Sequence, residues 1–244
     1  MNLQNKFALV TGGAHRVGKA IALALARSGV HVAITYNTSI DDAQTTLAEI
    51  RQAGVKAAAF QCNQTQLESI DALFAVLRQE FDHLDILINS AAIMERLPAL
   101  EVSLADWERV INTNLRGPFF IAQAAAKWMR ESGQAGSIIN LADLSALQPW
   151  PGYITHVISK SGLVAMTQTL ALALAPTIRV NAIAPGMILK PDNWTESRWQ
   201  HMVEALPLKH SSAVDEVAEA VLFCLRSDSM TGQVIVLDGG RSLK

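Results

Sequence analysis

Thr11-Gly12-Gly13-Ala14-His15-Arg16-Val17-Gly18 decides the fold of this 244-residue chain. The apolar run Phe7–Thr11 leads into it, and the amphipathic stretch Val17–Ser28 leaves it at once. Glycines at such a junction let the backbone turn tightly and approach a pyrophosphate, which the amides and dipole of the next helix then stabilise. A glycine loop alone is a weak signal, but between the first strand and first helix of a βαβ unit it is fairly strong.

The same rhythm runs outward from there. Apolar runs at Val30–Thr35, Ala57–Gln61, Ile86–Asn89, Ser137–Leu141, Arg179–Ala182 and Val234–Leu237 lack strict polar alternation, as strands covered on both faces do. Between them lie amphipathic segments at Asp41–Ala53, Leu67–Phe81, Leu104–Glu131, Gly152–Leu174 and Val214–Arg226. The fold expected is α/β, a doubly wound (Rossmann-type) parallel seven-stranded sheet flanked by helices, as one domain over residues 1–244. The stretch Met187–Ser212, with Pro191, Asn193, Trp194, Trp199 and Pro207, interrupts the alternation before the last strand. Lying beyond the carboxyl end of a strand, it is the expected substrate lid.

Composition narrows the function classes. Half the residues are apolar, enough for a full core, and a net charge of −2 makes no electrostatic case for nucleic acid or an anionic membrane. Cys62 and Cys224 lie far apart, without metal-ligand or disulfide spacing, and read as buried free thiols. Asn2 to Lys6 lead straight into a strand, so no signal peptide is expected. The longest candidate span, Gly162–Ala175, is short for a bilayer and is broken by Thr167, Gln168 and Thr169. A cytosolic protein with a small-molecule substrate and no metal is expected.

A carboxylate about 20 positions after the loop would hold a ribose 2′-hydroxyl and select NAD. The second strand instead ends in Tyr36-Asn37-Thr38-Ser39, with no acid until Asp41. Amide and hydroxyl donors there, with His15 and Arg16 nearby, suit a 2′-phosphate. A cation in the first turn of a helix opposes the dipole, so an anionic partner explains Arg16 better than a surface position does. NADPH is the expected cofactor.

These motifs resemble the short-chain dehydrogenase/reductase family, whose loop reads Thr-Gly, three variable residues, Gly, an apolar residue, Gly. Arg16 stands at the middle glycine, as in the pteridine reductase and dihydromonapterin reductase-like branch. The likeness spans nearly the whole chain. Asn63-Gln64 matches the pair beside the adenine, Asn89-Ser90-Ala91-Ala92 the Asn-Asn-Ala-Gly turn, and Asn114 the asparagine of the proton relay. Pro185-Gly186 matches the turn that meets the nicotinamide, with Ile188 following, and Lys190 replaces a usual threonine. The resemblance implies cofactor contacts from Gly12, His15, Arg16, Val17, Gly18, Asn37, Thr38, Ser39, Asn63, Gln64, Asn89, Ala91, Lys160, Pro185, Gly186 and Ile188. It also implies a homotetramer built on Leu104–Glu131 and Gly152–Leu174, where Ala165, Ala171, Ala173 and Ala175 permit close packing. The ending Gly240-Arg241-Ser242-Leu243-Lys244 resembles basic tails that reach a neighbouring subunit's active site.

Gly152-Tyr153-Ile154-Thr155-His156-Val157-Ile158-Ser159-Lys160 departs from the family. Lys160 matches the catalytic lysine, but His156 stands four residues earlier, where a tyrosine would deliver the proton that follows hydride transfer. Thirteen residues before His156 is Asp143, where most relatives have serine and pteridine reductases have aspartate. Asp143 would raise the imidazole's pKa and Lys160 would lower it, leaving the net sign open. Three readings follow: His156 is the general acid oriented by Asp143; Tyr153, one turn earlier, supplies the hydroxyl; or the donor is lost and the chain is a weak or non-catalytic NADPH binder. The expected catalytic set is Asn114, Asp143, His156 and Lys160. The expected activity is NADPH-dependent reduction of a small carbonyl or pteridine-like substrate, with a 3-oxoacyl carrier-protein reductase-like enzyme as the competing class.

Overall fold

The computed structural model describes residues 1–191 and 194–244. Seven parallel strands lie in the order β3-β2-β1-β4-β5-β6-β7. They are β1 (Phe7–Val10), β2 (His31–Tyr36), β3 (Ala57–Gln61), β4 (Ile86–Asn89), β5 (Gly136–Leu141), β6 (Ile178–Pro185) and β7 (Val234–Leu237). The helices are α1 (Arg16–Arg27), α2 (Ile40–Gln52), α3 (Leu67–Glu80), α4 (Leu104–Ile111), α5 (Gly117–Glu131), α6 (Ile154–Leu174), α7 (Glu196–Glu204) and α8 (Val214–Arg226).

Alternation along β1 divides the core in two. Ala8 and Val10 pack with Ile21, Leu25, Leu47, Ile50, Val221 and Leu225 of α1, α2 and α8. Phe7 and Leu9 pack with Ile70, Leu73, Leu77, Ile121 and Met129 of α3 and α5. Each fully buried aliphatic side chain contributes about 1.5–3 kcal/mol. Strand order reverses between β1 and β4, so a crevice opens beyond their carboxyl ends, the usual ligand position in such sheets.

Three segments differ from the sequence expectation. Leu104–Glu131 is not one helix: a π-helical turn, Asn112–Arg116, separates α4 from α5. That turn directs Asn114 inward to 1 % exposure, and Gly117 follows against the Gln64 carbonyl, where a Cβ would come within 2.6 Å. β6 runs on to Pro185, because β7 pairs with it through Pro185↔Leu237. Finally, the apolar stretch is longer than Gly162–Ala175. α6 is long and apolar enough, at a mean hydropathy of 1.4, to cross a bilayer by length and composition. It nonetheless buries Lys160 and His156 and packs along β6, as a core helix does.

The excursion at 187–212 closes on itself, for Ser212 N donates to the Met187 carbonyl at 3.1 Å. It holds α7, capped by Thr195, whose hydroxyl accepts from Arg198 N at 3.2 Å. Trp194, Trp199 and Met202 pack against Met187, Val203 and Leu206. Asn193 lies outside the described residues.

Candidate active site

The glycine loop is held from below. Thr11 Oγ1 accepts from both Ser90 N and Ala91 N, at 3.0 and 3.1 Å, tying the end of β1 to the turn after β4. Gly12 adopts φ +63°, and a Cβ on it would meet the Ala91 Cα at 2.8 Å. A side chain here would force β1 and β4 apart. Arg16 also has positive φ, 53°, at the place where the family's loop carries glycine. An L-residue in that region costs about 1–2 kcal/mol.

A groove of about 660 Å³ opens above the loop. Of the residues expected to hold a cofactor, Gly12, His15, Arg16, Val17, Gly18, Asn37, Thr38, Ser39, Asn63, Gln64 and Ala91 line it. The side chain of Gln64, however, faces the protein: its Nε2 donates to the Ala91 and Thr113 carbonyls at 3.2 and 2.6 Å. Asn89 does not line the groove. It is buried, and its amide donates to Asn140 Oδ1 at 2.9 Å, so it ties β4 to β5 within the core. Pro185, Gly186 and Ile188 lie at the far end of β6, where Gly186 N donates to the Leu237 carbonyl and Ile188 packs on the core. Ser90 and Ala92 of the turn after β4 also line the groove, as do Thr65, Ile93, Glu95 and Arg109, which no sequence motif marked. Only Arg109 carried a usable signal, its place one helical turn before Thr113 on the helix leading to Asn114.

Ile93 joins the groove to a second cluster. Its N–H donates to Asn114 Oδ1 at 2.9 Å and its carbonyl accepts from Asn114 Nδ2 at 2.8 Å. The same carbonyl lies 3.2 Å from Nδ1 of His156. Asn114 Nδ2 also reaches Ser159 Oγ at 3.1 Å. The structure therefore brings Asn114 and His156 together through a main-chain carbonyl.

Asp143 is nearer to a turn residue than to a partner of His156. Its Oδ1 accepts from Ser145 N at 2.7 Å, capping a short 3₁₀ turn. The same atom is 3.9 Å from His156 Nε2, beyond hydrogen-bond reach. Burial is the first cause that lowers the His156 pKa, the Lys160 cation the second, and both outweigh Asp143. The reading in which Asp143 orients the His156 ring therefore has no hydrogen bond between the two side chains here. Lys160 is buried, donates to the Leu141 carbonyl at 2.6 Å, and is pushed down to about 8 by burial, against the pull of Asp143. Tyr153 sits at the start of α6 against Trp150, ring centroids 6.4 Å apart.

A smaller groove of about 360 Å³ lies beside the excursion, lined by Trp150, Met187, Met202, Leu206, Arg241 and Lys244 among others. The tail lies along its own chain, with Arg241 4.9 Å from the Trp150 ring centroid and the Lys244 carbonyl accepting from Gln148.

Residues 12–242 match the family described as Enoyl-(Acyl carrier protein) reductase. The chain belongs to the short-chain dehydrogenase/reductase family, an oxidoreductase family. It is 35% identical to glucose 1-dehydrogenase 2 of Bacillus subtilis, over 99% of this chain and 96% of that one. It is 34% identical to the 3-oxoacyl-[acyl-carrier-protein] reductase FabG of Staphylococcus epidermidis, over 97% of this chain and 98% of that one. Among solved structures, FolM alternative dihydrofolate reductase 1 from Brucella canis, complexed with NADP, superposes with a TM-score of 0.89 at 33% identity, covering 100% of this chain and 97% of that one.

Proposed function

We propose that this short-chain dehydrogenase/reductase moves a hydride between NADP(H) and a small carbonyl or pteridine-like substrate. One observation carries the cofactor choice. Where the groove passes the end of β2 it is lined by Asn37, Thr38 and Ser39, with Arg16 and His15 across from them in the loop and no carboxylate in that stretch. Those groups donate to and neutralise a 2′-phosphate, which an acid would repel. The left-handed backbone at Arg16 adds support, since a strained non-glycine residue persists where its side chain is of use. Bound there, the dinucleotide would supply the hydride chemistry; the chain would supply the amide cradle, and Lys160, which donates to the Leu141 carbonyl here, would turn to the nicotinamide ribose.

The pteridine-like class is supported by the FolM relative and by Trp150 with Arg241, a flat ring and a cation in the groove under the excursion, which would act as lid. Exposed Trp107, Phe119, Ile154 and Ile158 on α4, α5 and α6 suit burial in a homotetramer. A second reading, a non-catalytic or weakly active NADPH-binding protein, is favoured by His156, whose burial disfavours the protonated form that would give up a proton.

Calorimetry with NADPH and NADH tests the proposal. NADPH is expected to bind at least tenfold tighter, with the difference lost in Arg16→Ala. Equal affinities would sink it.

A further inference from the structure

In a chain of net charge −2, the smaller groove gathers two cations and, among its described lining residues, no acid. Met187, Met202 and Leu206 give it an apolar wall, Trp150 a ring, and Arg241 and Lys244 its charge. Lys244 is already engaged, for its ammonium donates to the Ala205 carbonyl and its own carbonyl accepts from Gln148. Arg241 is different. Its guanidinium lies over the Trp150 ring, 4.9 Å from the centroid, and no ion pair engages it among the described residues. A guanidinium placed over an indole keeps a rim of N–H donors, which fits a carboxylate through two parallel hydrogen bonds.

Arg241 is also held in place. Asp238, the acidic residue nearest to it in sequence, is not its partner. The Asp238 carboxylate oxygens accept from Gly240 N at 2.8 Å and Ser242 N at 2.7 Å, which fixes the 3₁₀ turn Arg241–Leu243. Gly240 has φ +84°, and a Cβ on it would meet Pro207 at 3.0 Å, so this turn lies tight against the excursion. Cover for the indole would need only the apolar stem of Arg241. The charged head, fixed at the lining of a cavity without acids, calls for an anion.

We propose that Arg241 makes the smaller groove a site for a flat ring bearing a carboxylate, and so selects the substrate by its charge. The ring of such a molecule would lie against Met187 and Met202, whose thioether sulfurs make favourable aromatic contacts. Its carboxylate would take the guanidinium rim. A neutral ring of the same shape would gain the apolar contacts alone. The inference deepens the reading above that substrate enters under the excursion, and it rests on that reading.

The experiment is calorimetry on the full chain with excess NADPH, using naphthoate and naphthamide as probes, which differ in charge and little in shape. The acid is expected to bind the wild type at least tenfold tighter than the amide. That preference should vanish in Arg241→Gln and survive in part in Arg241→Lys, which keeps the charge and loses the two-pronged geometry. Thermal melting of both variants checks that they are folded. Equal binding of the two probes by the wild type, binding of neither, or a preference that persists in Arg241→Gln would overturn the inference. Should the chain take up no NADPH, the same titrations on the chain alone still read the preference. That failure would remove the parent reading, and the role of Arg241 would stand or fall by the probes.

Discussion

Gly18 faces the carbonyl of Gly12 so closely that a methyl group added to it would lie 2.2 Å from that oxygen. The first turn of α1 therefore leans directly on the loop it follows, and the cradle exists only while both positions lack side chains. Gly18→Ala is expected to push the loop outward, lowering stability by about 1–3 kcal/mol through overpacking and NADPH affinity at least tenfold. Thermal melting and calorimetric titration check it; wild-type binding in the variant would count against the loop as the phosphate site.

Arg16→Gly separates strain from function. Relief at φ 53° gains about 1–2 kcal/mol, offset by about 0.5–1 kcal/mol of glycine's chain entropy. Stability should hold or rise slightly while NADPH affinity falls about tenfold, roughly 1.4 kcal/mol. A variant that melts much earlier yet binds NADPH normally would assign Arg16 to the fold alone.

The pH dependence of stability has two parts with one sign. His156 is lowered by burial and then by Lys160, so below about pH 6.5 the unfolded chain takes up a proton that the folded chain refuses, and stability falls with pH. Lys160, pushed from 10.5 to about 8 by burial, leaves the folded chain with fewer protons above pH 8. Stability then rises toward pH 10.5, at up to about 1.4 kcal/mol per unit. Urea unfolding of wild type, His156→Gln and Lys160→Met across pH 5 to 10 should show each slope flatten in its own variant.

At the amino ends of the central strands, Asp85 is fully buried, accepts from Lys6 Nζ at 2.8 Å and Phe7 N at 2.9 Å, and lies 3.0 Å from His83 Nε2. Asp85→Ala would leave the first amide of β1 unpaired and is expected to cost about 3–5 kcal/mol. Because this network lies at the amino ends of the strands, NADPH affinity in the folded variant should be unchanged.

What could be read from the sequence follows the range of the forces involved. Phe7–Val10 and Ile86–Asn89 announce themselves because each residue of a doubly covered strand must be apolar or hydrogen-bonded, whatever its neighbours. The glycine loop was legible for a similar reason, since Gly12 and Gly18 are demanded by backbone contact. The π-turn at Asn112–Arg116 was not legible, because what pulls Asn114 inward is the Ile93 peptide, 21 positions away in the chain. Asn89 misled in the same way: an amide after a strand can face ligand or core, and only Asn140, 51 residues on, decides that it faces the core. The sign of the His156 shift depended on depth of burial, a property no spacing encodes.

The hydrogen bond from Ser212 to Met187 gives the loop over the smaller groove a stem whose two ends already touch. The ladder of β6 on β7 ends at Pro185↔Leu237, outside that stem, so a change within 188–211 would reshape the wall over the groove and, through Leu208 N on the Gly239 carbonyl, the turn after β7.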